Sequence, residues 1–168
     1  MTFPQSDFWD FSVNLYGADG VHDACVTLQT EYGLDINLVF YGLWHAAVGA
    51  GRISSEKWRE IFDTFGGWHN YIVRPVWQAR QKLKPAFADF PTNLTEPLRQ
   101  MYVSAELAAE HIEQVMLGER FAVAPNEAPT LEQRHADATA NIEGYAAQIG
   151  VKAGFDNEID LFLRAIDW

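Results

Sequence analysis

The pair Glu132 and His135 has the spacing that most directly suggests metal chemistry. A carboxylate and an imidazole three residues apart lie on one face of a helix, as they do in carboxylate-bridged dimetal bundles. Such a site needs a second Glu-x-x-His pair and two further glutamates on facing helices, and the chain has no second pair. His135 also lies beside an apolar stripe, where a hydrogen-bonded structural histidine is common. We therefore predict no metal site and no cofactor from the sequence.

The single cysteine and one aspartate pair are weaker candidates. Cys25 lies on the inner stripe of a predicted helix and is expected to pack as a small hydrophobe, although His45 or His69 could approach it as a base. Asp156 and Asp160 have the spacing of Asp-rich diphosphate–magnesium motifs, but we expect Asp156 to cap a helix and Asp160 to face solvent. The chain has no Gly-rich phosphate loop, Gly-x-Ser-x-Gly, His-Glu-x-x-His or Cys-x-x-Cys motif. No catalytic residue is assigned.

A set of tryptophan, arginine and small polar residues is the remaining candidate for a site. Asp35 and Asn37 stand at the start of a predicted central helix, where free backbone N–H groups can also bind an anion. Arginine stacked on tryptophan suits either a ligand pocket or the hot spot of a partner interface. The alternative is that the tryptophans are core, the arginines lie at its rim and Asp35 is only a helix cap. The predicted ligand- or partner-binding residues are Asp35, Asn37, Trp44, Trp68, Arg74, Trp77 and Arg80.

The helix that follows Asp35 is the element around which the others are expected to pack. Gly33 can adopt the left-handed conformation that ends the preceding helix, and Asp35 can cap the next one. Residues 36–50 are apolar almost all round, and such a helix is normally enclosed by others. We predict an all-α fold, a single compact domain over residues 1–168 with seven to eight helices around a central apolar helix at 36–50. A C-terminal part, 130–168, is expected to be packed less tightly.

Local signals locate the ends of several other helices. Ser6 is a good N-cap for a first helix, and Thr130 with Gln133 forms a capping-box pattern. Gly66 and Gly67 interrupt the helical pattern. Pro75 costs a hydrogen bond, so a kink or a restart is expected there.

The longest helix is predicted to open at Thr95. The spacing of its apolar residues, including Leu98, Met101 and Met116, predicts a core face on one side. The remaining side is expected to face solvent, and it carries Glu106, Glu110 and Glu113.

Several short motifs occur in an order that resembles a known family. They are Phe8-Trp9-x-Phe11, Cys25-x-x-Leu28-Gln29, Gly33-x-Asp35-x-Asn37-Leu38, and Trp68 followed by Val73-Arg74-Pro75 and Arg80. Over roughly residues 6–117 the chain resembles a small family of proteobacterial conserved hypothetical proteins, catalogued as a domain of unknown function. The resemblance implies a compact bacterial cytoplasmic protein and no established activity.

The net charge of −11 restricts the partners of the chain. General nucleic-acid binding needs a basic field, which the chain lacks. The longest apolar run, 36–50, is too short for a bilayer, which takes ~20 residues. The single cysteine cannot form a disulfide within the chain, which is compatible with a reducing compartment. Together with the short apolar run, it predicts a cytoplasmic protein with no membrane contact. Seven of the twelve basic residues lie in 52–84, so this segment could contact an acidic neighbour in the same chain or another one.

The function stays open at this level. The leading hypothesis is a non-catalytic cytoplasmic helical domain that acts through a protein partner or as a homo-oligomer. It rests on the aromatic surplus, the segregated charge and the lack of a complete catalytic set. The alternative is a small-molecule binding protein, or an enzyme, that holds an anionic ligand in a Trp/Arg-lined pocket near the start of the central helix.

Overall fold

The computed structural model describes residues 4–84, 89–152 and 154–168, and every regular element in these ranges is helical. Because α4, a π-helical turn and α5 follow one another without a break, the described residues form seven helical rods. The predicted all-α fold is confirmed. The helices are α1 (Asp7–Tyr16), α2 (Val21–Glu31), α3 (Ile36–Ala47), α4 (Ser55–Trp68), α5 (Arg74–Lys82), α6 (Thr92–Arg120), α7 (Leu131–Gln148) and α8 (Asp156–Ala165), with the π-helical turn at His69–Val73.

Side-chain caps begin the helices where the sequence predicts them. The Ser6 hydroxyl accepts a hydrogen bond from the Trp9 N–H at 3.1 Å, and the Thr130 hydroxyl accepts one from the Gln133 N–H at 3.3 Å. Such bonds satisfy N–H groups that have no partner within the helix. The prediction for the last helix is wrong by one residue, because Asp156 is the first residue of α8 rather than its cap.

The central helix α3 is buried on nearly all sides, as predicted, and ends at Ala47 rather than Ala50. It packs chiefly along α7 and is also contacted by α1, α2 and α6. A Cβ atom at Gly42 would lie 3.3 Å from the Trp58 ring and 3.3 Å from the Asn141 Cβ, so the absence of a side chain there permits the close packing of three helices.

Asn141 on α7 is fully buried and connects the middle of α3 to the loop before α4. Its Oδ1 accepts from the Ile53 N–H at 2.8 Å, and its Nδ2 donates to the carbonyls of Gly42 at 3.0 Å and Gly51 at 3.2 Å. Buried polar groups that lose their partners cost about 1–3 kcal/mol each.

We predict that Asn141→Ala lowers the free energy of unfolding by about 2–4 kcal/mol, because it leaves the Ile53 N–H unpaired and removes three buried hydrogen bonds. Urea denaturation measures this change. Glu143→Ala on the exposed side of the same helix is the control and should change the free energy of unfolding by less than about 0.5 kcal/mol. An equal, small effect of both variants would contradict the structural role of Asn141.

Cys25 lies in the core on α2, as predicted, with 2% of its surface exposed. Burial raises the pKa of its thiol to about 12. Since the thiolate is the reactive form, we predict that Cys25 in the folded protein does not react with a disulfide reagent at pH 8, whereas the unfolded chain reacts stoichiometrically. Fast labelling of the native protein would contradict this packing.

Between α4 and α5 the backbone changes from α-helical to π-helical geometry, just before Pro75. Gly66 and Gly67 do not interrupt α4, contrary to prediction. The π-helical turn follows, and the Arg74 N–H donates to the carbonyl of His69, five residues earlier. Pro75 has no N–H to donate, so the regular ladder cannot continue unchanged through this point. Single π-helical turns of this kind occur frequently at functional sites.

The hairpin of α5 and the first half of α6 stands apart from the main core, which contains no described residue from 66 to 116. Apolar side chains on α6 are accordingly exposed there, contrary to the predicted core face. No described helix combines the length and apolarity needed to cross a membrane. The most exposed of these apolar residues are Leu94, Leu98, Met101 and Leu107.

Candidate functional site

Three ionisable side chains from separate elements meet at the start of α3. Asp35 is the N-cap of α3, His69 opens the π-helical turn, and Glu113 lies in the second half of α6. One carboxylate oxygen from each acid and one ring nitrogen of His69 all lie within 4.8 Å of one another. Among the described residues, this is the one group of three or more such side chains with metal-ligand spacing.

The Asp35 side chain uses one oxygen as a cap and leaves the other without a hydrogen bond. Oδ1 accepts from the Asn37 N–H at 2.9 Å, while the Asp35 N–H donates to the Tyr145 hydroxyl at 3.0 Å. Oδ2 lies 2.8 Å from the His69 Nδ1. The two groups form an ion pair when His69 is protonated, and neither atom has a further hydrogen-bond partner among the described residues.

Glu113 is held in the same way, by one oxygen. Its Oε2 accepts from the Asn37 Nδ2 at 2.7 Å, and the Oδ1 of Asn37 accepts from the Gln114 Nε2 at 2.8 Å. Its Oε1 has no hydrogen-bond partner among the described residues, although the residue is only 1% exposed. Asn37 therefore fixes the position of a carboxyl group whose second oxygen has no partner among the described residues outside the cluster.

Asp35 Oδ2, His69 Nδ1 and Glu113 Oε1 are buried and have no hydrogen-bond partner among the described residues outside the cluster. A buried polar group without a partner costs about 1–3 kcal/mol when it is neutral and more when it is charged. Metal–ligand bonds of about 2.0–2.2 Å place neighbouring ligand atoms about 3 Å apart around an ion. The observed 2.8 Å between Asp35 Oδ2 and His69 Nδ1 fits that spacing. Two carboxylates and an imidazole suit Zn²⁺, Mn²⁺ or Fe²⁺.

The electrostatics of the metal-free cluster show that it has an excess of negative groups. Burial, reinforced by Asp35, raises the pKa of Glu113 to about 10, and burial with Glu106 and Asp35 raises that of Glu110 to about 8. Burial opposes protonation of His69, but the Asp35 carboxylate outweighs burial and raises the pKa of His69. Acids placed so close must share protons or be compensated by a cation.

A cavity of about 270 Å³ opens beside the cluster. It is lined by Asp35 and His69, and by Asn70 and Arg74 on the side of the π-helical turn. A smaller hollow of about 30 Å³ also touches His69 and Arg74, and Trp77 lies against it. Two of the three residues of the cluster therefore border the cavity, while Glu113 lies behind its lining.

The structure places the sequence-predicted binding residues in three different settings. Asp35 and Asn37 lie in the cluster, and Arg74 and Trp77 border the cavity or the hollow beside it. Trp44 lies in the core, 5.2 Å from the ring of Phe8.

The two remaining predicted residues connect helices. Trp68 donates from Nε1 to the Ala109 carbonyl at 3.1 Å. Arg80 is bound by both oxygens of Glu106. Both contacts hold the α4–α5 rod against α6, and neither side chain borders the cavity.

The sequence did not point to His69 as a ligand or to Glu113 and Tyr145 at all. The prediction that Glu106, Glu110 and Glu113 form a solvent face is wrong, since Glu106 is 7% and Glu113 1% exposed. The apolar spacing on α6 is a misleading signal, because Leu98, Met101 and Met116 of that stripe are exposed in the structure.

The pairs considered for metal chemistry from sequence do not assemble a site among the described residues. The exposed Glu132 and the half-buried His135 belong to no three-ligand group. The His135 ring lies 4.6 Å from the ring of Trp168. Asp156 and Asp160 are exposed on α8.

A comparison with protein families gives one match. A family model described as a protein of unknown function (DUF2390) matches residues 7–117, which is well over half of the chain. The matched span contains Asp35, His69 and Glu113, whereas Tyr145 lies beyond it. No curated protein and no solved structure matches the chain.

Proposed function

We propose that this chain, which belongs to the DUF2390 family of unknown function, binds one divalent transition-metal ion between Asp35, His69 and Glu113. One observation carries the proposal. Three potential ligand atoms from three elements converge in a buried position, and none has a hydrogen-bond partner among the described residues outside this group. A cation would satisfy all three atoms at once and would compensate the closely placed carboxylates.

The surroundings of the three ligands support this function. Outer contacts that orient ligands commonly raise metal affinity. Here Asn37 holds the Glu113 carboxylate, and the Tyr145 hydroxyl holds the backbone of Asp35. These contacts fix two of the three ligands before any ion is bound, so little ordering remains to oppose binding.

The number of protein ligands favours an ion that also binds a small molecule. Structural zinc sites are usually closed by four protein ligands, whereas catalytic sites have three and keep a position open. Asp35 and His69 both line the 270 Å³ cavity, so an open position has space beside it. The proposed function is therefore a metal centre that is accessible from this cavity.

Metal binding is tested by loading protein that has been stripped with a chelator. We expect Zn²⁺, Mn²⁺ or Co²⁺ to bind with a stoichiometry of one ion per chain in equilibrium dialysis. At a free concentration of about 100 times the Kd, binding adds about 2.7 kcal/mol to the stability, which raises Tm by roughly 5–10 °C. An unchanged Tm together with no retained ion would refute the proposal.

The expectation of a protein partner or a homo-oligomer stays a prediction, as does cytoplasmic location. The observation that favours a partner is the exposed apolar surface of α6, where Leu94 is 67% and Met101 69% exposed. Large exposed apolar side chains that lie together often mark interaction sites. Light scattering tests the oligomer, and a strictly monomeric mass at high concentration would count against it.

A further inference from the structure

We propose that the metal centre takes a small oxyanion, a carboxylate or a phosphate, which bridges the bound ion and the guanidinium of Arg74. This inference rests on the proposed function and adds the chemical class of the ligand. It is argued from the position of Arg74, the charge of the site and the shape of the cavity.

Arg74 is placed to reach a ligand on the ion. It follows the π-helical turn directly, so it lies little more than one helical turn from His69 along the same rod. Its side chain borders both the 270 Å³ cavity and the smaller hollow, and His69 borders both as well. The cationic group and the metal ligand therefore line the same space.

Arg74 is exposed, and its guanidinium forms no ion pair with a carboxylate of the described residues. Three other arginines are bound by acids, and these are Arg52, Arg80 and Arg99. Arginine recognises carboxylate and phosphate with paired, parallel hydrogen bonds, so an oxyanion is the ligand that this group fits.

The charges at the cavity also suit an anion. A divalent ion is neutralised by the carboxylates of Asp35 and Glu113, and a ligating imidazole is neutral. Glu110 acts on the cluster electrostatically but does not line the cavity, whereas Arg74 does. A ligand with one anionic group can therefore bind both the ion and Arg74.

The cavity restricts the ligand to a small molecule. Its volume is about 270 Å³, and apolar walls are formed by Leu38, Phe62 and Ile149. Asn70 lines the cavity as well. An oxyanion with a short apolar body matches a small cavity whose lining combines charged, polar and apolar residues.

The test uses Co²⁺-loaded protein, because the visible spectrum of Co²⁺ responds to a change of ligand. Inorganic phosphate and malonate are titrated separately, which distinguishes the two oxyanion classes. We expect the wild-type spectrum to change and saturate with at least one of them. Arg74→Met should weaken this response at least ~10-fold while Co²⁺ binding itself changes by less than about 3-fold.

Two controls separate the inference from the proposed function. Arg59→Met removes an exposed arginine on α4 that borders neither cavity nor hollow, and it should respond to the anions like wild type. If wild type binds Co²⁺ but its spectrum ignores both anions, or if Arg74→Met saturates at the wild-type concentration, this inference alone is overturned. If wild type binds no Co²⁺, both the inference and the proposed function are overturned.

Discussion

Glu113→Gln is expected to weaken metal binding at least ~100-fold and to leave the metal-free protein at least as stable as wild type. The amide removes an anionic ligand but can still accept the hydrogen bond from Asn37. With a pKa of about 10, Glu113 is protonated in the folded chain at neutral pH, so the amide is nearly isosteric with the group it replaces.

The pH dependence of stability gives this prediction a second readout. In the unfolded chain Glu113 ionises near its usual pKa of about 4.5, while in the fold it stays protonated up to about 10. The folded state therefore binds more protons between these values, and metal-free wild type loses stability as pH rises through this window. Glu113→Gln should not show this loss of stability with rising pH.

The control for this prediction lies one helical turn away. Glu110→Gln changes the same chemical group on the same helix, but Glu110 contributes no atom to the three-ligand cluster. It should bind metal within about 10-fold of wild type, which calorimetric titration with Zn²⁺ measures. If both variants bind Zn²⁺ as tightly as wild type, Glu113 is not a ligand.

Gly49→Ala is expected to lower the free energy of unfolding by about 3–4 kcal/mol. Gly49 has a φ of +75°, which disfavours any side chain, and a Cβ there would lie 1.8 Å from the carbonyl oxygen of Asn126. The clash is with backbone, so the loop must move. That movement breaks the hydrogen bond from the Asn126 N–H to the Val48 carbonyl at 2.7 Å.

Gly150→Ala is the matched control, and urea denaturation compares the two variants. Gly150 has a φ of +80° but no atom within 4 Å of an added Cβ. Alanine at this position therefore costs only the free energy of placing a side chain on a left-handed backbone, about 1–2 kcal/mol. If the two variants lose the same stability, the loop before α7 does not pack against the end of α3 as described.

The fold was largely predictable because its signals are local. Ser6, Asp35 and Thr130 mark helix starts through short-range hydrogen bonds, and an all-round apolar helix must be enclosed. The orientation of α6 was not predictable in this way. Exposed apolar residues of α6 lie on the hairpin with α5. Glu106 is buried against Arg80 of α5, and Glu113 is buried against Asn37 of α3.

Only Asp35 and Asn37 of the candidate site were predictable from the sequence. Asp35 and Asn37 follow a helix stop and occupy the start of α3, which a single sequence shows directly. His69 and Glu113 are distant in sequence from that point and from each other, and no fixed spacing links the three residues. A motif search therefore favours Glu132 and His135, whose spacing is local, over ligands that only the packing of α3, the π-helical turn and α6 brings together.

Diffraction from a crystal grown with Zn²⁺, recorded at the zinc absorption edge, tests the central claim most directly. The account predicts one anomalous peak per chain, at about 2.0–2.2 Å from Asp35 Oδ2, His69 Nδ1 and Glu113 Oε1. No anomalous peak at this position, with the three side chains as close as they are without metal, would contradict it.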